Sequence, residues 1–293
     1  MFDPIKYKTR IDEYLSKNLG FKVALVQAEQ LTKGTREAPW KLTFECNGDL
    51  QAFVLQLDEN SIAYEYHALK ALDKCSIPAP KAYGLDLSGK EIGIPCNFSE
   101  FIEGNSLLEP MLNGEKWAEA LYIDSVLALQ SISKDDLGGF AKIVKCETAE
   151  QVLEEAYSFL QQKDNALVDA AYKELKGSMP RLPEIRFSNG DLWFENFIEK
   201  DRKLEGVIDF ANTAFSDPIF EFLLSFFVLP EINGRGIVEC YCQKCGFDPS
   251  ILDWYHGLEY FDTLRWVMVT DQGFVHHTAE SLQADLRGWL AKK

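Results

Sequence analysis

The sequence predicts an α+β protein with two lobes, a small antiparallel β-sheet lobe with one main helix at residues 1–103 and a larger, mainly helical lobe at residues 104–293. In the first region, short apolar segments alternate with turn signals, as in β-hairpins. Beyond it, longer segments carry apolar residues at helical spacing. Because the chain has 293 residues and 46% hydrophobic content, each lobe can bury a core of its own.

The elements of the smaller lobe follow from turn residues and apolar spacing. Asn47-Gly48 is a strong hairpin signal between two strand-like runs, and Pro78 follows a segment with helical spacing. The predicted elements are a helix at Asp12–Lys17, strands between Phe21 and Leu57, a helix at Ser61–Lys74 and a strand at Cys96–Gly104.

The larger lobe is predicted to be built from helices. Its apolar residues recur at intervals of three and four in five separate segments. These are Trp117–Ser133, Thr148–Leu175, Phe220–Val228, Gly236–Cys245 and Ile251–Met268.

Three oxygen-bearing residues form the most informative pattern in the chain: Asp191, Asn196 and Asp209. Phosphoryl transfer from a nucleotide needs a carboxylate for the proton of the attacking hydroxyl and oxygen ligands for Mg²⁺. Strands at Phe197–Glu199 and Leu204–Asp209, with a polar turn between them, would pair as a hairpin and bring Asn196 beside Asp209. The alternative is a hairpin whose acidic residues only face solvent.

This pattern resembles the aminoglycoside phosphotransferase and choline kinase superfamily, which has the protein-kinase-like fold. The superfamily's catalytic loop and metal motif are matched at Gly190, Asp191, Asn196, Ile208 and Asp209, and its Gly-Asp-Pro segment is matched by Ser216-Asp217-Pro218. The sequence departs from the family at Asn189, where His is usual, and at Ala211, where Gly is usual.

The resemblance implies an ATP- and Mg²⁺-dependent kinase that transfers the γ-phosphoryl group to a hydroxyl of a small molecule. It implies that Asp191 is the catalytic base, and that Asn196 and Asp209 bind the metal. It leaves open the acceptor, the choice between ATP and GTP, and the oligomeric state.

The resemblance also assigns nucleotide contacts in the smaller lobe. Gly34, in the run Leu31–Glu37, matches the phosphate-covering loop by its position between strands. Glu65 matches the helix glutamate that pairs with a cation on the third strand. The run that contains Glu100 and Ile102 resembles the hinge whose backbone groups bind the adenine edge.

Gln56 occupies the position that matches the family's phosphate-binding cation. By strand alternation, Val54 would face the adenine and Gln56 the phosphates. Because glutamine brings no positive charge, the site is expected to bind phosphates more weakly, unless Lys33, Arg36 or Lys41 supplies the charge from a neighbouring strand.

Composition excludes several other classes of function. A formal net charge of −16 argues against a nucleic-acid partner, and no apolar run reaches the ~20 residues of a membrane span. Seven cysteines without a secretion signal fit a reduced, cytoplasmic protein. Cys240, Cys242 and Cys245 are predicted to lie on a helix rather than to bind zinc.

Two alternatives remain at the level of sequence. The departures at Gln56, Asn189 and Ala211 are compatible with a catalytically weak nucleotide-binding pseudokinase that acts as a regulatory or interaction module. The same scaffold with ATP reversed would transfer a nucleotidyl group instead. Because Asp191, Asn196 and Asp209 are all retained, the kinase is the favoured prediction.

Overall fold

A computed structural model describes residues 2–31, 38–57, 60–163, 165–229 and 231–293. Its strands, numbered in chain order, are β1 (Val23–Gln30), β2 (Trp40–Cys46), β3 (Asp49–Gln56), β4 (Ala82–Asp86), β5 (Cys96–Glu100), β6 (Asn105–Ser106), β7 (Lys145–Glu147), β8 (Arg186–Ser188), β9 (Phe197–Lys200), β10 (Lys203–Val207) and β11 (Ala214–Ser216).

The helices are numbered in the same way. They are α1 (Lys8–Leu19), α2 (Ile62–Leu72), α3 (Leu108–Leu112), α4 (Lys116–Gln130), α5 (Ala149–Leu160), α6 (Ala166–Gly177), α7 (Pro218–Val228), α8 (Ile237–Cys245), α9 (Leu252–Thr270) and α10 (Ala279–Leu290).

The chain folds into two compact units, each built from three segments. The first unit contains Met1–Leu107, Ile132–Ile143 and Glu195–Thr213. The second unit contains Leu108–Ser131, Val144–Phe194 and Ala214–Lys293. The β9–β10 hairpin is therefore part of the first unit, together with the N-terminal sheet. The division into lobes at residue 103 stays a prediction.

The first unit is organised around a five-stranded antiparallel sheet in the order β1-β2-β3-β5-β4. Asn47 and Gly48 both have positive φ, at 53° and 96°, as a tight β2–β3 turn requires. One face of the sheet packs against α1 and forms an apolar core. This core contains Leu42, Leu55 and Phe98 from the sheet and Ile11 and Leu15 from α1. Because side chains alternate along a strand, Gln56 of β3 lies on the opposite face.

The second unit is mainly helical, with a short sheet in the order β7-β11-β8. Aromatic rings fill much of its core. Tyr122 from α4 packs against Phe194 and Phe222, and Phe222 stacks on Tyr241 with ring centroids 3.9 Å apart. Tyr122, Phe194, Phe222 and Tyr241 are all fully buried. These contacts hold the segment before the β9–β10 hairpin against α4 and α7.

The longer helices and strands are largely as predicted, and the differences concern element ends and short elements. The predicted helix at 148–175 is two helices, because Asn165 caps α6 with its side chain on the Leu167 N–H. The strand predicted to run to Gly104 ends at Glu100, and the second hairpin strand ends at Val207. The elements without a prediction are helices α3 and α10 and strands β4, β6, β7, β8 and β11.

Candidate functional site

The β9–β10 hairpin brings the two candidate metal ligands together in the first unit. Phe197 pairs with Val207, and the Ile208 N–H donates to the Asn196 carbonyl oxygen at 2.9 Å. Asn196 therefore lies opposite Ile208, one residue from Asp209. Asn196 is buried, with 8% of its surface exposed, and Asp209 is partly buried.

The donor set of this hairpin fits Mg²⁺. An amide oxygen from Asn196 and a carboxylate from Asp209 are hard oxygen ligands, which Mg²⁺ prefers over nitrogen or sulfur. Asp209 has φ of 58°, in the left-handed region that few residues other than glycine adopt. Non-glycine residues adopt this conformation at functional sites and also in tight turns such as the one at Asn47. The backbone at Asp209 thus departs from strand geometry directly after β10.

The predicted hinge packs directly on this hairpin. Asn105 in β6 pairs with Glu199 in β9, and the Leu107 N–H donates to the Phe197 carbonyl at 3.0 Å. Gly104 lies so close to β9 that an added Cβ would overlap the Glu199 carbonyl oxygen. A side chain at Gly206 would meet Ile102 at 3.2 Å. The predicted hinge and the β9–β10 hairpin therefore pack together within the first unit.

Glu100, the first residue of the predicted hinge, also extends the contact between β5 and the segment before β4. Its N–H donates to the Lys81 carbonyl at 2.8 Å, and its carboxylate accepts from the Lys81 N–H at 3.2 Å. The Phe101 N–H donates to the Ala52 carbonyl at 3.3 Å. These bonds hold the start of the hinge, while Ile102 packs near Gly206.

Val54 and Gln56 lie on the same face of β3, as strand alternation predicted. Phe53 and Leu55 are buried in the core, with 3% and 0% of their surfaces exposed, whereas Val54 and Gln56 are only partly buried. Lys41 in β2 pairs with Val54, so a cation does lie on this face. Its ammonium contacts the Glu103 carboxylate at 3.3 Å and lies 3.8 Å from the centre of the Phe101 ring. Lys41 is therefore directed to the hinge.

Glu65 lies on α2 and is buried, with 5% of its surface exposed. The first turn of this helix is joined to β3 through Asn97, whose side-chain Nδ2 donates to the Gln56 Oε1 and to the Ile62 carbonyl, both at 3.1 Å. Further along α2, the Tyr64 hydroxyl donates to the Thr213 carbonyl at 2.7 Å. Helix α2 is thus attached both to the strand that carries Gln56 and to the loop that follows Asp209.

Asp191 lies in the second unit, on the loop after β8. The side chain of Asn189 binds both backbone groups of Asp191. Its Nδ2 donates to the Asp191 carbonyl at 2.9 Å, and its Oδ1 accepts the Asp191 N–H at 3.3 Å. Asn189 is fully buried. Gly190 between them has φ of 80°, which glycine adopts at little cost. The residue that departs from the family's histidine therefore supports the shape of the loop.

The next residue along this loop is fixed by two hydroxyl groups. The Leu192 carbonyl accepts hydrogen bonds from Tyr122 in α4 and from Ser225 in α7, both at 2.7 Å. Both donors are buried, so water competes little for these bonds. The loop that carries Asp191 is held by the helical core of its own unit.

A partly buried glutamate in α7, Glu221, supports the same loop. The Ser188 hydroxyl accepts the Gly190 N–H at 2.9 Å and donates to Glu221 Oε2 at 3.4 Å. The pKa of Glu221 is raised to about 7, chiefly by burial and also by the charges of Asp191 and Glu147, while hydrogen bonds from Ser216 and Ser188 oppose the rise. The sequence prediction missed Glu221, although a single acid within the apolar helix α7 was a usable signal.

Asp217, in the segment that resembles the family's Gly-Asp-Pro run, acts at the start of α7. Its Oδ1 accepts the N–H groups of Ile219 and Phe220, and its Oδ2 accepts the hydroxyl of Tyr255 at 2.9 Å. It is 2% exposed, and burial raises its pKa to about 6. This aspartate caps a helix and ties α7 to α9.

The remaining predictions concern the phosphate-covering loop, the cysteines near residue 240 and a membrane span. Gly34, Lys33 and Arg36 lie outside the described residues. Cys240, Cys242 and Cys245 lie on or at the end of α8, and within the described ranges no three His, Cys, Asp or Glu residues are placed to hold a metal ion. No helix in those ranges is long and apolar enough to cross a bilayer.

Known proteins share the family and the fold of this chain. The sequence matches the model of the phosphotransferase enzyme family over residues 41–255, well over half of the chain. No curated protein has a significantly similar sequence.

Solved structures share the fold at low sequence identity. One is a Ralstonia eutropha JMP134 protein assigned as an aminoglycoside phosphotransferase (17% identity, TM-score 0.70, 96% of this chain and 95% of that chain covered). A second is a thermostable mutant of aminoglycoside phosphotransferase APH(4)-Ia in a ternary complex with ADP and hygromycin B (12%, 0.64, 96% and 98%). A third is APH(2″)-IIIa in complex with GDP and kanamycin (13%, 0.61, 97% and 98%).

At these identities the structural likeness establishes the fold, and the family model establishes the family. Both the predicted fold class and the predicted resemblance are confirmed. The chain belongs to the phosphotransferase enzyme family.

Proposed function

We propose that this phosphotransferase is a Mg²⁺- and ATP-dependent kinase that transfers the γ-phosphoryl group to a hydroxyl of a small molecule. The observation that carries the proposal is the hairpin register, in which Asn196 lies opposite Ile208 and next to Asp209. Two hard oxygen donors are thus held at one end of a rigid hairpin, as nucleotide-bound Mg²⁺ requires.

Nucleotide binding is supported by residues of the same unit and by the related structures. The face of β3 that carries Val54 and Gln56, the hinge at Glu100 and Ile102, and the hairpin all lie in the first unit. The neighbouring structures include complexes with ADP, AMP-PNP and GDP. We assign Val54 to the adenine, Gln56 to the phosphates and the hinge backbone to the adenine edge, with Glu65 on α2 supporting the phosphate side.

Asp191 is assigned as the base that orients the acceptor hydroxyl and takes its proton. Its backbone is fixed by Asn189, and the following carbonyl is fixed by Tyr122 and Ser225. Such preorganisation matters because a misplaced base loses much of its effect on the rate. Mg²⁺, when bound through Asn196 and Asp209, would neutralise charge on the nucleotide phosphates.

The acceptor is proposed to be a small molecule with a free hydroxyl group. Two of the related structures are complexes with hygromycin B and with kanamycin, and these ligands belong to those proteins. Fold alone does not choose among alcohols, since one scaffold supports many substrates. An acceptor panel should therefore include amino alcohols, polyols and aminoglycosides, with water as the background acceptor.

The test is acceptor-dependent formation of ADP from MgATP, with the product identified by mass. Asp191→Asn is expected to lower turnover by about 10²–10⁴-fold, as loss of a general base does, and to leave ATP affinity unchanged. The matched control is Asp201→Asn, the same charge change at an exposed hairpin-turn residue, which is expected to keep full turnover.

Three results would contradict the proposal. Full turnover by the Asp191→Asn variant would exclude this base. A product carrying a nucleotidyl group would replace phosphoryl transfer by nucleotidyl transfer. Binding of MgATP without transfer to any acceptor, including water, would favour the pseudokinase.

A further inference from the structure

The orientation of the Gln56 side-chain amide, meaning the direction of its oxygen and its NH₂ group, is fixed by hydrogen bonds that connect it to α2. Gln56 is the last residue of β3 and pairs with Asn97 in β5, so the two side chains lie on the same face of the sheet. Asn97 Nδ2 donates to the Gln56 Oε1 at 3.1 Å and to the Ile62 carbonyl oxygen at 3.1 Å.

Only one orientation of the two amides satisfies these contacts. The Ile62 carbonyl oxygen can only accept a hydrogen bond, so Asn97 must present its NH₂ group there rather than its Oδ1. The second N–H of that group then points to Gln56, which must present its own Oε1 in return. The NH₂ group of Gln56 is consequently left on the other side of the amide, away from Asn97.

Burial makes this arrangement hard to reverse. Asn97 has 1% of its surface exposed, so water does not compete for its hydrogen bonds. If the Asn97 amide were rotated by 180°, its Oδ1 would face two acceptor oxygens at hydrogen-bonding distance. Gln56 is only partly buried, so its outward NH₂ group remains able to meet a ligand on the open face of the sheet.

We infer that Asn97 is a positioning residue that makes Gln56 a neutral hydrogen-bond donor to the nucleotide phosphates. This inference rests on the proposed nucleotide site. In this chain an Ile62–Asn97–Gln56 relay stands where the resemblance to the superfamily implies a cation. The described cation on the same face, Lys41, contacts Glu103 and Phe101 at the hinge instead.

The inference predicts that phosphate binding depends on the direction of the Gln56 amide and not on its size. Gln56→Glu keeps the oxygen that Asn97 contacts and replaces the outward NH₂ group by a second oxygen. ATP affinity is expected to fall at least about tenfold, corresponding to 1.4 kcal/mol, while adenosine affinity changes by less than about twofold. Adenosine serves as the comparison because it lacks phosphates.

The matched control is Gln51→Glu. Gln51 lies on the same strand, is exposed and undergoes the same change of charge. It is expected to leave both affinities within about twofold of wild type, because its charge is screened by solvent. An equal loss of ATP affinity in the control would overturn the inference, since the effect would then come from net charge.

The role of Asn97 is tested by replacing its hydrogen-bond donor group with an acceptor. Asn97→Asp offers only acceptors at the same shape, so the Gln56 amide should turn and direct its oxygen to the phosphates. The expected result is the same selective loss of ATP affinity, with rescue by adding Gln56→Lys, whose ammonium would pair with the new carboxylate and face the phosphates. Equal losses for ATP and adenosine, or no rescue, would overturn the positioning role.

A measurement on the unaltered protein does not depend on how well any variant folds. The side-chain NH₂ resonances of Gln56 in ¹⁵N-glutamine-labelled protein, identified by their absence in Gln56→Glu, are expected to shift on adding ATP and to stay in place on adding adenosine. No shift on saturation with ATP would overturn the inference alone. A wild-type protein that binds neither ligand would instead contradict the proposed function.

Discussion

The backbone N–H of Ile208 donates to the carbonyl oxygen of Asn196 at 2.9 Å, which extends the β9–β10 pairing by one residue beyond Val207. Because this bond places Asn196 opposite Ile208, Asn196 and Asp209 lie close together at the open end of the hairpin. The hairpin in turn packs on the hinge through β6. The candidate metal ligands are therefore held by backbone hydrogen bonds, which side-chain substitutions in the ligands leave in place.

Tyr64 connects α2 to the loop after Asp209, through its hydroxyl and the Thr213 carbonyl at 2.7 Å. Tyr64→Phe removes this donor from a buried acceptor and should cost about 1 kcal/mol of stability. Thermal unfolding should show a midpoint lower by about 3 °C. Tyr66→Phe is the control, since its hydroxyl makes no hydrogen bond within the described residues. Equal midpoints for the two variants would contradict the role of Tyr64.

Gly104 is expected to be indispensable for packing of the hinge on β9. An added Cβ would overlap the Glu199 carbonyl oxygen and approach Ile198 Cγ2 to 2.7 Å. Gly104→Ala should therefore destabilise the protein by about 1–3 kcal/mol in denaturant unfolding, since the backbone has to move. Gly288→Ala, in α10 with no heavy atom within 4 Å, should instead stabilise by up to about 1 kcal/mol. A neutral Gly104→Ala variant would show that the hinge can separate from β9 at no cost.

Glu221 should make stability depend on pH. Its pKa rises from an ordinary value of 4.5 to about 7, chiefly through burial, so the folded state holds a proton that the unfolded chain has released. The stabilising effect of protonation is complete below pH 4.5 and is lost as the pH rises to about 7. At about 1.4 kcal/mol per pKa unit, the loss amounts to about 3 kcal/mol.

Glu221→Gln tests this dependence because glutamine keeps the shape of the side chain and carries no charge. Relative to wild type, the variant should gain stability as the pH increases from 4.5 to 8, measured by urea unfolding at each pH. Parallel stability curves for the two proteins would mean that Glu221 does not titrate differently in the folded state.

Much of the site could be predicted because its residues are close together in the sequence. Asn196 and Asp209 are joined by a short hairpin with a polar turn, so pairing the strands was enough to place them side by side. The common face of Val54 and Gln56 followed from the period of a strand. The roles of these residues, and of Asp191, stay predictions.

The supporting residues could not be predicted, because they depend on long-range pairing. Asn97 meets Gln56 only through the register of β3 with β5, and no turn joins these strands directly, because α2 and β4 lie between them in the chain. Tyr64 and Thr213 are 149 residues apart in the chain. The break between α5 and α6 was missed because apolar spacing continues on both sides of Asn165, whose capping role depends on local backbone geometry.

Calorimetry of ATP binding with and without Mg²⁺ tests directly whether the β9–β10 hairpin carries a Mg²⁺-dependent nucleotide site. The wild-type protein and Asp209→Ala are compared, since Asp209 is the proposed carboxylate ligand. In the wild-type protein, Mg²⁺ is expected to strengthen ATP binding. In the Asp209→Ala variant, ATP binding is expected not to respond to Mg²⁺. Equal Mg²⁺ dependence in the two proteins, or no binding of ATP by wild type, would contradict it.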